Sequence, residues 1–285
     1  MISILSWNIQ CGLGVDGRVD LQRIAGVINR MGGADVICLQ EVARFFPDLD
    51  RGQGADQVAV LKKYFPDFAA MFGPALDRPS PGNARRQQFG NLILSRLPVL
   101  QTFRHLLPQP LPADPVQHMP RQALEAVVAA PDGPLRVTTT HLEFHSARQR
   151  LHQAERLCAL TAEIVENLEY AGYAPAEGPY AAVPRPGRSV LCGDFNAEPD
   201  DSVYQCLTRR DADAWRHLHR AKRHAPTCGI HDHIQWPQGA HARDFFFVSP
   251  ELKSQVMAVE VETETDASDH QPLRLLLKPG GGQMG

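Results

Sequence analysis

The sequence lacks the features that mark membrane-spanning, secreted and disulfide-stabilised proteins. Among its 285 residues no apolar run approaches the ~18 that cross a bilayer. The first residues, MISILSWNIQ, place no basic segment ahead of a long apolar stretch, so we expect no signal peptide. The six cysteines form no CxxC pair, and Cys38 and Cys192 lie in apolar segments typical of reduced core residues. We therefore expect a cytoplasmic protein.

An excess of positive charge is also absent. Lys and Arg total 29 against 32 Asp and Glu, which gives a formal net charge of −3. This balance argues against a protein that coats nucleic acid with its whole surface, but it leaves room for a local basic patch. Hydrophobic residues make up 43% of the chain, enough at this length for a core that needs no disulfide or metal.

The apolar patterns predict many strands with helices interspersed. A strand at 2–9, a helix at 19–33 with Asp20 as its N-cap, and a strand at 34–41 form a β-α-β unit. Further strands are predicted at 89–103 (two), 121–130, 135–141, 189–195, 244–249, 254–262 and 272–278, and further helices at 55–65 and 146–168. We expect one α/β domain over residues 1–278, a surface loop at 171–187 and a mobile tail at 279–285.

Several predicted strands end in polar side chains that a protein core would not select. In GDFN, Asp194 and Asn196 would leave the same face at strand spacing, whereas Phe195 would point into the core. The other polar strand ends are Asn8, Glu41, His141, Asp244, Asp269 and His270. Each alone is compatible with a turn, a helix cap or a solvated end. Because strand ends converge in space, the set predicts a site for a hard metal ion and a phosphate group.

The residue types in this set suit the hydrolysis of a phosphate ester. Mg²⁺ prefers a few carboxylates and keeps several waters, and neutral Asn and His side chains can bind an anionic phosphodiester. Hydrolysis also needs an activated water, a charge-stabilising cation and an acid for the leaving oxygen. His270 cannot simply pair with its neighbour Asp269, so a carboxylate elsewhere, with Asp244 as the candidate, is expected to orient its ring.

The motifs WN, LQE, TH, GDFN, RDFFFVS and SDHQP resemble, in order and over residues 8–270, those of the endonuclease/exonuclease/phosphatase superfamily. Its members include deoxyribonucleases, abasic-site endonucleases, deadenylases, sphingomyelinases and inositol-polyphosphate 5-phosphatases. The resemblance implies a four-layer α-β-β-α sandwich of the α/β (α+β) class. Two mixed β-sheets would pack face to face with helices outside, and the site would lie at one edge of the sheets.

The resemblance also implies a metal site and a catalytic carboxylate. Glu41 would be the principal ligand of Mg²⁺, or of Mn²⁺ in its place, and Asn8 and Asp269 would lie near the same ion. Asp194 would position or deprotonate the attacking water, or protonate the leaving group. Some relatives carry an acidic residue where this chain has Gln10, which weakens the argument for a second metal.

The phosphate group has its own set of implied partners. Asn196 and His141 would hold phosphate oxygens, and His270, oriented by Asp244, would be the general base or a phosphate ligand. Two further candidates come from their positions alone. Arg121 begins a strand and is either a cation for the phosphate or a solvated strand end. Asn91 is a candidate phosphate ligand, and we expect its side chain to face the site.

The histidine-rich stretch at 216–233 does not match the spacing of a zinc site. We expect it to be a surface segment that forms a rim of the substrate site. Trp236, just beyond it, would either pack in the core or stack on a base, the core being the safer interpretation.

Three functions remain open from the sequence. The first is a Mg²⁺-dependent hydrolase of nucleic-acid phosphodiesters, an endonuclease or exonuclease. The second is a phosphodiesterase or phosphatase for a small molecule or lipid headgroup, which needs no basic surface. The third is a binding module without turnover, which the complete set of site residues argues against. No protein partner is implied, and we expect a monomer.

Overall fold

The computed structural model describes residues 1–82, 84–168, 177–220 and 222–280. The strands are β1 Ile2–Asn8, β2 Val36–Arg44, β3 Ala69–Pro79, β4 Arg86–Ser95, β5 Val99–Leu106, β6 Gln122–Ala130, β7 Gly133–His141, β8 Ser189–Asp194, β9 Ala212–Asp213, β10 Asp244–Val248, β11 Val256–Val261 and β12 Leu273–Leu277. The α-helices are α1 Leu21–Arg30, α2 Gln57–Tyr64, α3 Ala147–Asn167, α4 Ser202–Thr208 and α5 Ala214–His219.

The strands form two six-stranded sheets. The first has the order β11-β12-β1-β2-β4-β3 and the second the order β5-β6-β7-β8-β10-β9. In each sheet one central pair is parallel, β1 with β2 and β7 with β8, and the other neighbours are antiparallel. Both sheets are therefore mixed, as the sequence predicts.

Three apolar layers explain why the elements stack in this way. Between the sheets, Ile4 and Val36 of the first sheet belong to the same core as Val137 and Phe246 of the second. On the outer face of the first sheet, the apolar stripes of α1 and α2 pack on β1, β2 and β4. On the outer face of the second sheet, α3 and α4 pack on a cluster that includes Phe195. The result is the four-layer α-β-β-α sandwich, and Phe195 points into its core.

Most predicted elements are confirmed, including the β-α-β unit with Asp20 as N-cap and the hairpin of β6 and β7. The strand β3 was not predicted, because it lies at a sheet edge and its half-exposed residues show no clear alternation. The short elements α4, β9 and α5 were also not predicted, because a segment of so few residues shows no clear apolar period.

The predicted surface loop at 171–187 and the predicted tail at 279–285 lie only partly within the described residues. Residues 171–176 of the predicted loop and 281–285 of the predicted tail lie outside the described residues, whereas 177–187 contain neither helix nor strand. All six cysteines are free, and Cys38 and Cys192 are fully buried in the inter-sheet core, as predicted. Within the described ranges, no helix combines the length and apolar character that a membrane span requires.

Candidate active site

Strand direction brings the predicted site residues to one end of the sandwich. β1 and β2 are parallel, and Asn8 lies beside Gln40 just before Glu41. β7 and β8 are also parallel, so His141 is paired in register with Asp194. Asp244, at the start of β10, lies across from Asp194 on the other side. The two parallel pairs thus deliver polar side chains to a single edge, where the sheets meet.

A bulge in β2 turns Glu41 toward this edge. The pairing of β2 with β4 shifts between Leu39 and Val42, and Glu41 has a φ of +56°, a left-handed conformation that costs a non-glycine residue energy. The neighbouring Gln40 is buried between the sheets, where its amide donates to the hydroxyl of Thr139 at 2.8 Å. The bulge therefore lets Gln40 point into the core while the next residue, Glu41, lines the cleft.

The carboxylates at this edge are the groups expected around a hard cation. Burial, reinforced by the charge of Asp269, raises the pKa of Glu41 to about 7. Burial likewise raises the pKa of Asp269 above its ordinary value. Two carboxyl groups with raised pKa values in one cavity fit a divalent ion such as Mg²⁺, because its positive charge would favour their ionised forms.

Asn8 reaches the site in a different way from a simple ligand. Its amide nitrogen donates to Glu41 Oε1 at 3.1 Å and to Asp194 Oδ2 at 3.0 Å, while its oxygen accepts from the backbone N–H of Gln10. Asn8 therefore bridges two carboxylates and fixes their spacing. Asn8 lines the same cleft as Glu41 and Asp269.

Asp194 is the central carboxylate of the site. It is buried, and burial acts to raise its pKa, but the charge of His270 and the hydrogen bonds from Asn196 and Asn8 hold the pKa below its ordinary value. Asp194 is consequently ionised at neutral pH. It lies within reach of both imidazoles, 3.4 Å from His141 Nε2 and 3.7 Å from His270 Nε2.

The geometry of GDFN differs from the strand alternation that the sequence suggested. β8 ends at Asp194, and Asn196 has a φ of +49°, so the chain has left the extended conformation before Asn196. The turn is closed by the backbone N–H of Asn196, which donates to Asp194 Oδ1 at 2.9 Å. Both side chains still enter the site, but a tight turn rather than strand alternation brings them there.

His270 is oriented by Asp244, as the sequence analysis expected. Nδ1 of His270 lies 2.8 Å from Asp244 Oδ2, which also accepts a 2.6 Å hydrogen bond from the hydroxyl of Thr227. Burial acts to lower the pKa of His270, but Asp244, Asp194 and Asp269 together raise it well above its ordinary value. His270 therefore carries a positive charge near neutral pH in the metal-free protein.

His141 and Asn196 form a neutral donor pair. Burial and the nearby charge of Arg121 lower the pKa of His141 to about 3, so its ring is uncharged. Nδ2 of Asn196 donates to the carbonyl of Leu142 and lies 3.0 Å from His141 Nε2. Among the described residues, Nδ1 of His141 has no hydrogen-bond partner; it is buried and lies 3.8 Å from Oε1 of Glu41. A phosphate oxygen that accepts a hydrogen bond from Nδ2 of Asn196 would replace the contact between Asn196 and His141.

Arg121 lines the cleft and is paired rather than free. Its Nε lies 3.2 Å from Oε2 of Glu143, a fully buried carboxylate that also accepts from the backbone N–H groups of Met119 and His145. Glu143 was not identified as a site residue from the sequence. The signal was present in THLE, where Glu143 follows His141 by two positions.

Asn91 is the one candidate that the structure does not bring to the site. Its amide donates to the carbonyl of Gln122 at 3.1 Å, and the side chain is buried between the sheets. It is not among the residues that line the cleft. A position near the middle of β4, away from the strand end, accounts for the difference.

The cleft itself has a volume of about 520 Å³. Besides the residues predicted from the sequence, its lining includes Gln10, Phe89, Met119, Phe144, His145, Gln235 and Trp236. Trp236 is buried, and its indole N–H donates to Asp269 Oδ2 at 3.3 Å. The core interpretation of Trp236 is therefore supported, with the addition that its ring orients a candidate metal ligand.

The segment after the histidine-rich stretch supplies Gln235 and Trp236 to the cleft, next to the exposed Ile234. Within the described part of the chain, no zinc-like group forms among these histidines. Among the described residues, the three acidic and histidine side chains close enough to hold one metal ion together are Asp194, Asp244 and His270. Because Asp244 and His270 are hydrogen-bonded to each other, this cluster is better described as an acid–base group than as a ligand set.

Comparison with known proteins agrees with the fold. Over its whole length the chain resembles an endonuclease/exonuclease/phosphatase from Beutenbergia cavernae DSM 12333, with a TM-score of 0.72, 24% identity and 73% of that protein covered. A mannosyl-6-phosphatase from Bacteroides thetaiotaomicron gives a TM-score of 0.66 at 18% identity, covering 98% of this chain and 100% of that one.

A 3′ phosphatase from Neisseria, solved with a product DNA hairpin, gives a TM-score of 0.61 at 18% identity, covering 98% of this chain and 100% of that one. Comparison with curated protein sequences finds no match. The sequence profile of the endonuclease/exonuclease/phosphatase family matches residues 5–270, a span that contains every polar strand end described above. The chain therefore belongs to the endonuclease/exonuclease/phosphatase family.

Proposed function

We propose that this chain is a Mg²⁺-dependent hydrolase of phosphodiester bonds that acts on nucleic acid. The observation that carries the proposal is an ionised Asp194 within reach of the imidazoles of His141 and His270. These residues share one cleft with Glu41, whose pKa is raised to about 7. Such divergent pKa values among neighbouring acids are typical of acid–base sites. We further propose that residues 1–278 act as one catalytic domain, as a monomer in the cytoplasm.

Glu41 and Asp269 would hold the divalent ion, Mg²⁺ or Mn²⁺, with Asn8 fixing the position of Glu41. When bound, the ion would polarise the phosphate and lower the pKa of a coordinated water. It would also lower the pKa of His270, because it offsets the carboxylates that now raise it.

The side chains of the protein account for the proton and for the phosphate charge. Asp194 is ionised and accepts the proton of the attacking water while the new P–O bond forms and the ester P–O bond breaks. The leaving oxygen takes the electron pair of the broken bond and a proton from solvent. His270 donates an N–H from Nε2 toward the phosphate, since Nδ1 is occupied by Asp244. His141 and Arg121 also line the cleft and would add further hydrogen-bond donors for the phosphate.

Three observations bear on the substrate, two in favour of nucleic acid and one in favour of a small phosphoester. The Neisseria relative is a phosphatase solved with DNA, which supports a nucleic-acid substrate for this fold. The cleft also offers exposed apolar and aromatic surface beside the phosphate site. The second candidate, a small phosphoester, is favoured by the pairing of Arg121 with Glu143, which reduces the net positive charge available to a polyanion.

The test is a panel of substrates assayed with Mg²⁺ and with EDTA. The panel holds plasmid DNA, an abasic-site duplex, single-stranded RNA, a bis-aryl phosphodiester, inositol phosphates and a lysophospholipid. We expect nucleic acid to be hydrolysed, with a rate at low substrate concentration that falls steeply with salt because counterions are released on binding. Hydrolysis restricted to the small esters, with a shallow salt dependence, would instead support the second candidate.

Asp194→Asn is the matched control, because it keeps the shape of the side chain and the hydrogen bond from Asn196. We expect a loss of turnover of about a hundredfold or more with an unchanged circular dichroism spectrum. A folded variant with a rate near that of the wild type would contradict the assignment of Asp194.

A further inference from the structure

An exposed aromatic ring forms part of the cleft wall. Phe144 lies three residues after His141 in the loop that follows β7, and 38% of its surface is exposed. The catalytic scheme makes no use of it. Large apolar side chains that line a concave site and stay open to solvent are typical of ligand contacts.

The ring of Phe144 is held in place on several sides. Trp236 packs edge-to-face against it at 5.9 Å and 75°, and His145 does so at 4.8 Å and 90°. The carbonyl groups of Glu143 and Phe144 both accept hydrogen bonds from Nη1 of Arg150, at 2.6 and 2.8 Å. The ring is therefore preorganised, and binding against it costs little conformational entropy.

The aromatic wall is connected to the phosphate-binding side of the cleft. The guanidinium carbon of Arg243 lies 4.9 Å from the ring centre of Trp236 and 5.9 Å from that of Phe144. Its Nη1 also donates to the carbonyl of Asn196 at 3.2 Å. A phosphate held by Asn196 and a ring packed on Phe144 would thus belong to one small molecule or to one nucleotide.

We propose that Phe144 forms a stacking subsite for the nucleobase of the nucleotide that carries the scissile phosphate. A flat ring flanked by an imidazole and a guanidinium group suits a planar, polar-edged ligand better than an alkyl chain. Stacking accepts any base, so the subsite selects for a base rather than for a sequence. The base must be unstacked from its neighbours, which favours single strands and strand ends. The proposal rests on the proposed function and names its substrate class.

The test measures binding in EDTA, so that no turnover is needed. A fluorescently labelled short single strand is compared with the same strand in which the bases are replaced by abasic spacers, by anisotropy titration. We expect Phe144→Ala to weaken binding of the base-bearing strand at least about five-fold and to leave binding of the abasic strand unchanged. Phe144→Trp should keep or strengthen binding of the base-bearing strand.

Tyr180→Ala serves as the control, since Tyr180 is 83% exposed and does not line the cleft. It should change neither titration. Equal losses on the two strands, or no loss on either, would overturn the stacking subsite. A Phe144→Ala loss that is larger on a long-chain alkyl phosphate than on the base-bearing strand would assign the ring to a lipid and overturn it as well.

Turnover of the base-bearing strand with Mg²⁺, measured in parallel, separates this inference from the proposed function. Base-dependent loss of binding without hydrolysis would keep the subsite and reject the hydrolase. Hydrolysis without base-dependent binding would keep the hydrolase and reject the subsite.

Discussion

At the residue scale, the site depends on carboxylates whose environments drive their pKa values apart. Hydrogen bonds and imidazole charge hold the pKa of Asp194 below its ordinary value, whereas burial and Asp269 raise that of Glu41 to about 7. Burial also raises the pKa of Asp244 to about 6, partly offset by His270. Asp194 is thus ionised and can accept a proton, whereas Glu41 is only partly ionised near neutral pH in the absence of a cation.

The raised pKa of Glu41 predicts how stability depends on pH without metal. Because the pKa in the folded state, about 7, exceeds the ordinary value of 4.5, the folded state binds the proton more tightly. The free energy of unfolding should therefore fall as pH rises through this interval. Glu41→Gln removes the effect, so in EDTA the variant should be more stable than wild type by about 1–3 kcal/mol at pH 8, and equally stable at pH 4.

Urea denaturation at both pH values checks this prediction. Glu163→Gln, at an exposed position on α3, is the control, and its difference in stability from wild type should be the same at pH 4 and pH 8 to within a few tenths of a kcal/mol. A Glu41→Gln variant that is less stable than wild type at pH 8 would show that Glu41 is not a strained acid in the metal-free protein.

Residue types alone were enough to select most of the site. Glu41, Asp194 and His270 stand out because a core rejects them and strand ends converge. The partners that hold the site could not be found in this way. Trp236 with Asp269, and Arg121 with Glu143, are pairs set by long-range packing, which leaves no local pattern in the sequence.

At the element scale, the parallel pair β7 and β8 sets the position of Asp194. The two strands approach closely at Gly193, whose φ is +135°. A Cβ at this position would lie 1.9 Å from the carbonyl oxygen of Thr140. The sequence shows a glycine before Asp194, but only the paired strands show that a side chain there has no space.

Gly193→Ala should therefore lower the free energy of unfolding by at least about 3 kcal/mol, because both the backbone conformation and the contact are unfavourable. Gly52→Ala is the matched control. Gly52 also has a positive φ, +87°, but a Cβ there meets nothing within 4 Å, and a cost of only about 1 kcal/mol is expected. Equal losses in chemical denaturation of the two variants would refute the close approach at Gly193.

The limits of prediction at this scale have the same origin. Long elements with a clear apolar period, such as α1 and α3, follow from the sequence. The bulge at Glu41 does not, because the shifted pairing with β4 imposes a left-handed conformation that glutamate does not favour. The left-handed turn at Asn196 suits an asparagine, but the apolar pattern of the preceding strand predicts that the strand continues there.

At the scale of the whole molecule, the site exists only where the two sheets meet. Asn8 and Glu41 come from the first sheet, and His141, Asp194 and Asp244 from the second. Asp269 and His270 lie in the segment that leads into β12 of the first sheet. The hydrogen bond from Asn8 to Asp194 spans the two sheets, so the proposed metal and phosphate positions depend on the packing of the inter-sheet core.

The most direct test of this account is a calorimetric titration of Mg²⁺ into the metal-free protein at neutral pH, with Glu41→Gln as the comparison. We expect Mg²⁺ to bind at one site of the wild type and with an affinity at least about ten-fold lower to the variant, because the variant loses the principal carboxylate ligand. Equal Mg²⁺ affinity in the two proteins, or no binding to the wild type, would contradict the assignment of this cleft as a metal-dependent phosphodiesterase site.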